Sequence, residues 1–182
     1  PLRYYLIKEV SFGNDGNISQ EKLELCINSD LANNYGNLCQ RVLAFCEKNA
    51  NFEIPEKDNF SNDDNFVLDK YSKSYNDLIE YSDNQDVNSY ISFIVEQLFT
   101  ANKYFNDQEP WKKKKDKLRM NTIIYVALEL IRKVSIMLYP IIPTSSLKVL
   151  DVFSINEDKI NFETVKENNY LKNGLKLNKL DL

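Results

Sequence analysis

Apolar residues return every three or four positions through most of this 182-residue chain, and only four glycines and five prolines interrupt them. That step belongs to helices buried along one stripe, whereas half-buried strands alternate at every second residue. The spacing therefore predicts an all-α fold, an antiparallel bundle of four to five helices joined by turns. The strongest segment carries Ile123, Ile124, Val126, Leu128, Leu130, Ile131, Val134, Met137 and Leu138; it leaves few polar positions and should be central. No apolar run approaches the ~18 residues of a membrane span. The opening PLRYYLIKEV lacks the order of a signal peptide, so a cytosolic setting is expected. The chain also starts at proline inside an amphipathic pattern, and is read as a piece of something longer.

Three units are expected along the chain. Residues 1–18 form a connector, in which Leu2, Tyr5, Leu6 and Val10 share a helical face before SFGNDGN breaks it at Gly13 and Asp15-Gly16. Residues 19–155 form the helical domain. Ser19 is placed as an N-cap with Glu21 in the first turn, and Leu23, Ile27, Leu31, Tyr35, Leu38, Val42 and Phe45 carry one helix to about Lys48. Residues 50–65, rich in Asn and Asp around Pro55, read as a surface loop. A helix from about Asp63 to Tyr81 follows, then one buried along Val87, Ile91, Ile94, Leu98, Ala101 and Phe105. The central helix stops at Pro140, and Thr144 to Phe153 make a last short one. Residues 156–182 are a tail of weak periodicity in which Lys159 to Phe162 can form a short strand.

Two absences narrow the chemistry. With no histidine, imidazole catalysis and histidine-containing zinc sites are excluded. Cys26, Cys39 and Cys46 are spaced thirteen and seven apart, without a C-x-x-C pair, so they are expected as small buried hydrophobes and no metal site is expected. A formal charge of −4 argues against a general nucleic-acid binder, DNA included. Residues 103–119 run the other way, with seven basic residues against three acidic.

That stretch contains DQEPWKKKK and the only tryptophan, Trp111. An indole between a proline and four lysines is badly placed for burial. It is either a lid over the end of the bundle or a stacking platform for an extruded base. Lys112, Lys113, Lys114 and Lys115 are either a solubilising helix start or a contact for an anionic partner, since cations sit poorly at a helix N-terminus. On the first long helix Asp30, Asn34, Asn37 and Arg41 step by four, three and four into a polar strip. Asn37 and Arg41 could read the edges of an unpaired base, because an amide both donates and accepts and a guanidinium is a planar fork. A solvated helix edge is the plainer reading of the same spacing. Lys70–Ser74, KYSKS, differs by one residue from the KMSKS loop of class I aminoacyl-tRNA synthetases, yet no nucleotide-binding βαβ unit precedes it, and it is taken as coincidence.

Three stretches in order, PLRYYLIKEVSFGNDGNIS, INSDLANNYGNLCQRV, and EPWKKKK before a helix ending in YPIIPTSS, resemble the C-terminal part of methionyl-tRNA synthetase over about residues 1 to 150. The resemblance implies an anticodon-binding bundle that recognises CAU in tRNA(Met), with Asn37 and Arg41 at Watson–Crick edges and Trp111 stacked on a base; Lys112 to Lys115 are then candidate phosphate-backbone contacts by their charge. It implies no catalytic residue and no cofactor in this chain. ATP with Mg, and the catalytic domain that joins methionine to the tRNA, would belong to the complete enzyme, in cis. Two rivals stay open: the bundle of an isoleucine, valine, leucine or cysteine enzyme, and a protein-interaction bundle with no RNA role.

Overall fold

A computed structural model describes residues 2–9, 16 and 18–180. Its helices are α1 (Leu2–Glu9), α2 (Gln20–Cys26), a π-helical stretch (Ile27–Gly36), α3 (Asn37–Ala50), α4 (Asn62–Asp83), α5 (Val87–Gln108), α6 (Lys117–Leu138) and α7 (Pro143–Val152). The expected all-α bundle is what forms. Short connections between α4, α5 and α6 make neighbouring helices run antiparallel. Ser19 caps α2 through the Lys22 amide. Ser61 and Asp64 form a capping box on α4, so the polar loop ends earlier than expected. The bundle closes around α6, which packs against α3, α4, α5 and α7 and has every residue from Thr122 to Leu138 buried. All three cysteines are buried, and burial pushes the Cys46 thiol up to about 12.

The structure departs from the sequence reading in four places. The helix expected from residue 19 to 48 is one rod, but its middle is π-helical, so a uniform period does not hold across it. Gly36 sits where a Cβ would lie 3.3 Å from the Leu31 carbonyl oxygen. In α1 it is Tyr4 with Tyr5 that is buried, while Leu2 is exposed; Val10, Gly13 and Asp15 lie outside the described residues. The strand expected at 159–162 is absent: Glu157–Lys159 and Phe162–Lys166 are 3-10 turns. Asn161 explains part of this, because its side-chain oxygen accepts from the Thr164 amide and makes a turn the cheaper conformation. Among the described residues the only β pairing is the single bridge Glu53–Lys176. Finally, Lys112 to Lys115 are not the start of a helix. Asp116 caps α6 through the Arg119 amide, and the helix begins at Lys117, so the dipole meets a carboxylate there.

The tail docks on the bundle, through charges buried in its most apolar helix. Arg132 and Lys133, both fully buried, point at tail backbone: Arg132 donates to the carbonyls of Thr164 (3.0 Å) and Glu167 (2.9 Å), Lys133 to that of Val165. Glu129 accepts from the Leu171 amide at 2.7 Å and pairs with Arg132 Nε at 2.7 Å. Lys133 Nζ also reaches Asn168 Oδ1 (2.8 Å) and Ser72 Oγ (3.1 Å), so its three protons all have acceptors.

Candidate functional site

Asn37 opens α3 and Arg41 lies one turn on, so both project from the same side of the helix. They line a surface depression of about 640 Å³ whose other wall is α5, with Phe99, Asn102 and Asn106. The polar strip expected from residues 30 to 41 lines this one depression, and its members differ in how they are engaged. Asp30 is committed elsewhere: it accepts from Tyr4 (2.8 Å), Lys8 (2.6 Å) and Ser29 (2.9 Å). Burial opposes its ionisation, but those bonds outweigh it and hold the carboxyl below the usual carboxylate range. Asn34 is committed too, since Asn102 Nδ2 donates to its side-chain oxygen at 2.7 Å. Asn37 differs: its exposed amide makes no hydrogen bond among the described residues.

The other half of the site depends on how α5 ends. Glu109 adopts the left-handed conformation (φ 44, ψ 57), which terminates the helix and sends Pro110–Lys112 back in a single 3-10 turn. A glutamate there costs on the order of 1 kcal/mol. The reversal lays the Trp111 indole edge-on against Phe105, ring centroids 6.1 Å apart and planes at 72°. The Arg41 guanidinium lies 5.7 Å from the centroid of that same ring, steadied by a hydrogen bond from Nη2 to Asn106 Oδ1. One buried phenyl thus joins Arg41 to Trp111, and the indole remains 40% exposed. A tryptophan acting only as a lid would be sealed more fully.

The base of this turn is fixed by a network that sequence reasoning missed. Asp64, fully buried, accepts both guanidinium nitrogens of Arg119, the Tyr104 hydroxyl (2.5 Å) and the Ser61 amide (2.9 Å). Arg119 donates onward to Gln108 Oε1 at 2.7 Å, linking the end of α5 to the start of α6. Burial opposes Asp64 ionisation, yet Arg119 and its other donors hold its carboxyl below the usual range. The signal was S-N-D-D at the end of a polar loop, a capping box whose acid can serve a second partner.

The basic stretch is partly neutralised. Lys103 pairs with Asp107 (2.7 Å) and Lys112 with Glu109 (2.7 Å). Lys113, Lys114, Lys115 and Lys117 make no ion pair among the described residues, so the local positive excess is theirs. Lys70–Ser74 is a turn of α4 with Tyr71 and Ser74 buried and bonded internally, which does not fit a loop that holds ATP phosphates.

Comparison with known proteins gives two family matches. The family described as the anticodon binding domain of methionyl tRNA ligase matches residues 54–181, and that of the class I tRNA synthetases (M) matches residues 1–43. Trp111 falls in the first, Asn37 and Arg41 in the second. The methionine--tRNA ligase of Brucella suis biovar 1 is 39% identical over 165 residues, covering 90% of this chain and 32% of that protein. The chain thus spans about a third of the length of the curated relatives it matches. The apo form of Mycobacterium tuberculosis methionyl-tRNA synthetase superposes with a TM-score of 0.91 at 33% identity, over 98% of this chain and 36% of that one. The same enzyme in complex with methionyl-adenylate gives 0.90 at 33%, over 97% and 35%.

Proposed function

Because the chain belongs to the methionyl-tRNA ligase family, we propose that its bundle binds the anticodon loop of tRNA(Met) and reads the CAU triplet. The observation that supports this best is the sharing of Phe105 by Arg41 and Trp111, with the uncommitted Asn37 amide one turn before Arg41. A base unstacked from the loop would lie on the indole face, a contact worth roughly 1–3 kcal/mol. The Asn37 amide and the free N–H groups of Arg41 would then meet Watson–Crick edges. A wrong base would leave those groups unpaired as the site closes, which is how polar contacts discriminate strongly. Lys113, Lys114 and Lys115 would attract the phosphates, and Lys112, held by Glu109, would add less.

In the whole protein the reading extends to ATP-dependent joining of methionine to tRNA in the cytoplasm. The matched complex with methionyl-adenylate supports that chemistry. ATP and Mg would be held by a catalytic domain in cis, and this bundle would supply tRNA identity. The test is titration of the chain with stem-loop RNAs carrying CAU or single-base replacements at three salt concentrations. CAU should bind tightest, with affinity falling as salt rises; equal affinity for all of them would refute base reading.

A further inference from the structure

The depression lined by Asn37 and Arg41 carries an aromatic on its α5 wall. Phe99 is 69% exposed on the outer face of α5, lines the same depression, and has no ring or cation partner among the described residues. The core does not use it: the buried stripe of α5 runs through Ile91, Ile94, Leu98, Ala101 and Phe105. Seven residues separate Phe99 from Asn106, the residue that steadies Arg41, so the phenyl stands about 10 Å along the helix axis from that end of the site. Asn37, Asn102 and Asn106 line the depression with Phe99, alongside Lys103 and the carboxylates of Asp30 and Asp107.

We infer that Phe99 is a second stacking platform, taking another unstacked nucleobase of the same RNA loop. Continuity names the occupant: Phe99 shares one depression with Asn37 and Arg41, so a strand read by that pair can run on past the Asn102 amide towards the phenyl. Every base has a π-face, so this contact adds affinity and holds the loop open rather than choosing a letter. The inference rests on the anticodon reading above.

The experiment measures Kd of the 182-residue chain for a CAU anticodon stem-loop, with 2-aminopurine placed in turn at each loop position. Phe99→Ala and Phe99→Leu should each weaken binding about tenfold and relieve the quenching at one loop position. Phe99→Tyr should stay within twofold, as should Leu25→Ala, which removes an exposed apolar side chain on α2 outside the depression. If Phe99→Ala stays within twofold while Trp111→Ala weakens binding, the second platform is refuted and the anticodon reading stands. If the unmodified chain does not bind the stem-loop, both fall. Loss of self-association in Phe99→Ala by sedimentation, with RNA affinity unchanged, would also overturn the inference, making the phenyl a contact between copies.

Discussion

Arg41 and Arg132 are chemically the same group in opposite circumstances. Arg132 is sealed between α6 and the tail, with Glu129, two backbone carbonyls and the Tyr170 ring, 4.5 Å away, around it. Arg41 stands at the surface with one amide partner and the edge of the core beneath it. The same holds for amides: Asn168 accepts from Lys133 and donates to Asp69, whereas the Asn37 side chain is unengaged among the described residues. On the tail side each polar group has found its complement inside the chain, and removing one strands the rest in a dry environment. On the groove side the complement is missing among the described residues. The contrast separates residues that hold the fold from residues held ready for something else, and each substitution below tests it.

The largest effect is expected at Arg132. Arg132→Ala leaves the Glu129 carboxylate buried without its cation and should lower unfolding free energy by about 3–5 kcal/mol. Arg41→Ala should cost less than about 1 kcal/mol, both measured by urea unfolding. Next is Asp64→Asn, which weakens the charge-assisted bonds from Arg119 and should cost about 1.5–3 kcal/mol at pH 7. Because the folded-state Asp64 pKa is depressed, its stabilisation is present above the ordinary value near pH 4 and is lost as pH falls through the lower folded value. The unmodified chain should lose stability on that acid side, and the variant should show a shallower loss. Trp111→Ala should cost little stability, since the indole touches the core by an edge, while RNA affinity falls by about 1–3 kcal/mol in a binding titration. The smallest effect belongs to Lys114→Ala, which should reduce the slope of log K against log salt by about 1 and weaken all stem-loops alike.

Most of the fold was legible because helix periodicity survives tertiary packing: the apolar stripes of α6 and of α5 from Ile91 onward are buried, Val87 at the first turn of α5 being only half-buried, and Ser19 caps where it was expected to. The π-helical stretch was not, because period arguments assume one pitch. The docking of the tail was not legible because its partners are distant. Glu129, Arg132 and Lys133 stand out as charges in an otherwise apolar helix, at i, i+3 and i+4 on one face, which demands buried partners but does not say that a backbone segment thirty residues later supplies them. At the candidate site, Asn37, Arg41 and Trp111 could be singled out by chemistry. Their meeting through Phe105 could not, since the sequence presents that phenyl as one more core residue and the left-handed Glu109 carries no glycine or asparagine to announce it.

The single tryptophan allows the central claim to be tested at the residue concerned. Trp111 fluorescence should be quenched as a CAU stem-loop is added, with the same midpoint as binding followed by a label on the RNA. A stem-loop altered at the base that stacks or at the bases read by Asn37 and Arg41 should need markedly higher concentration. Binding by the RNA label with no change in Trp111 emission would contradict the account, because the RNA would then sit somewhere other than on the indole.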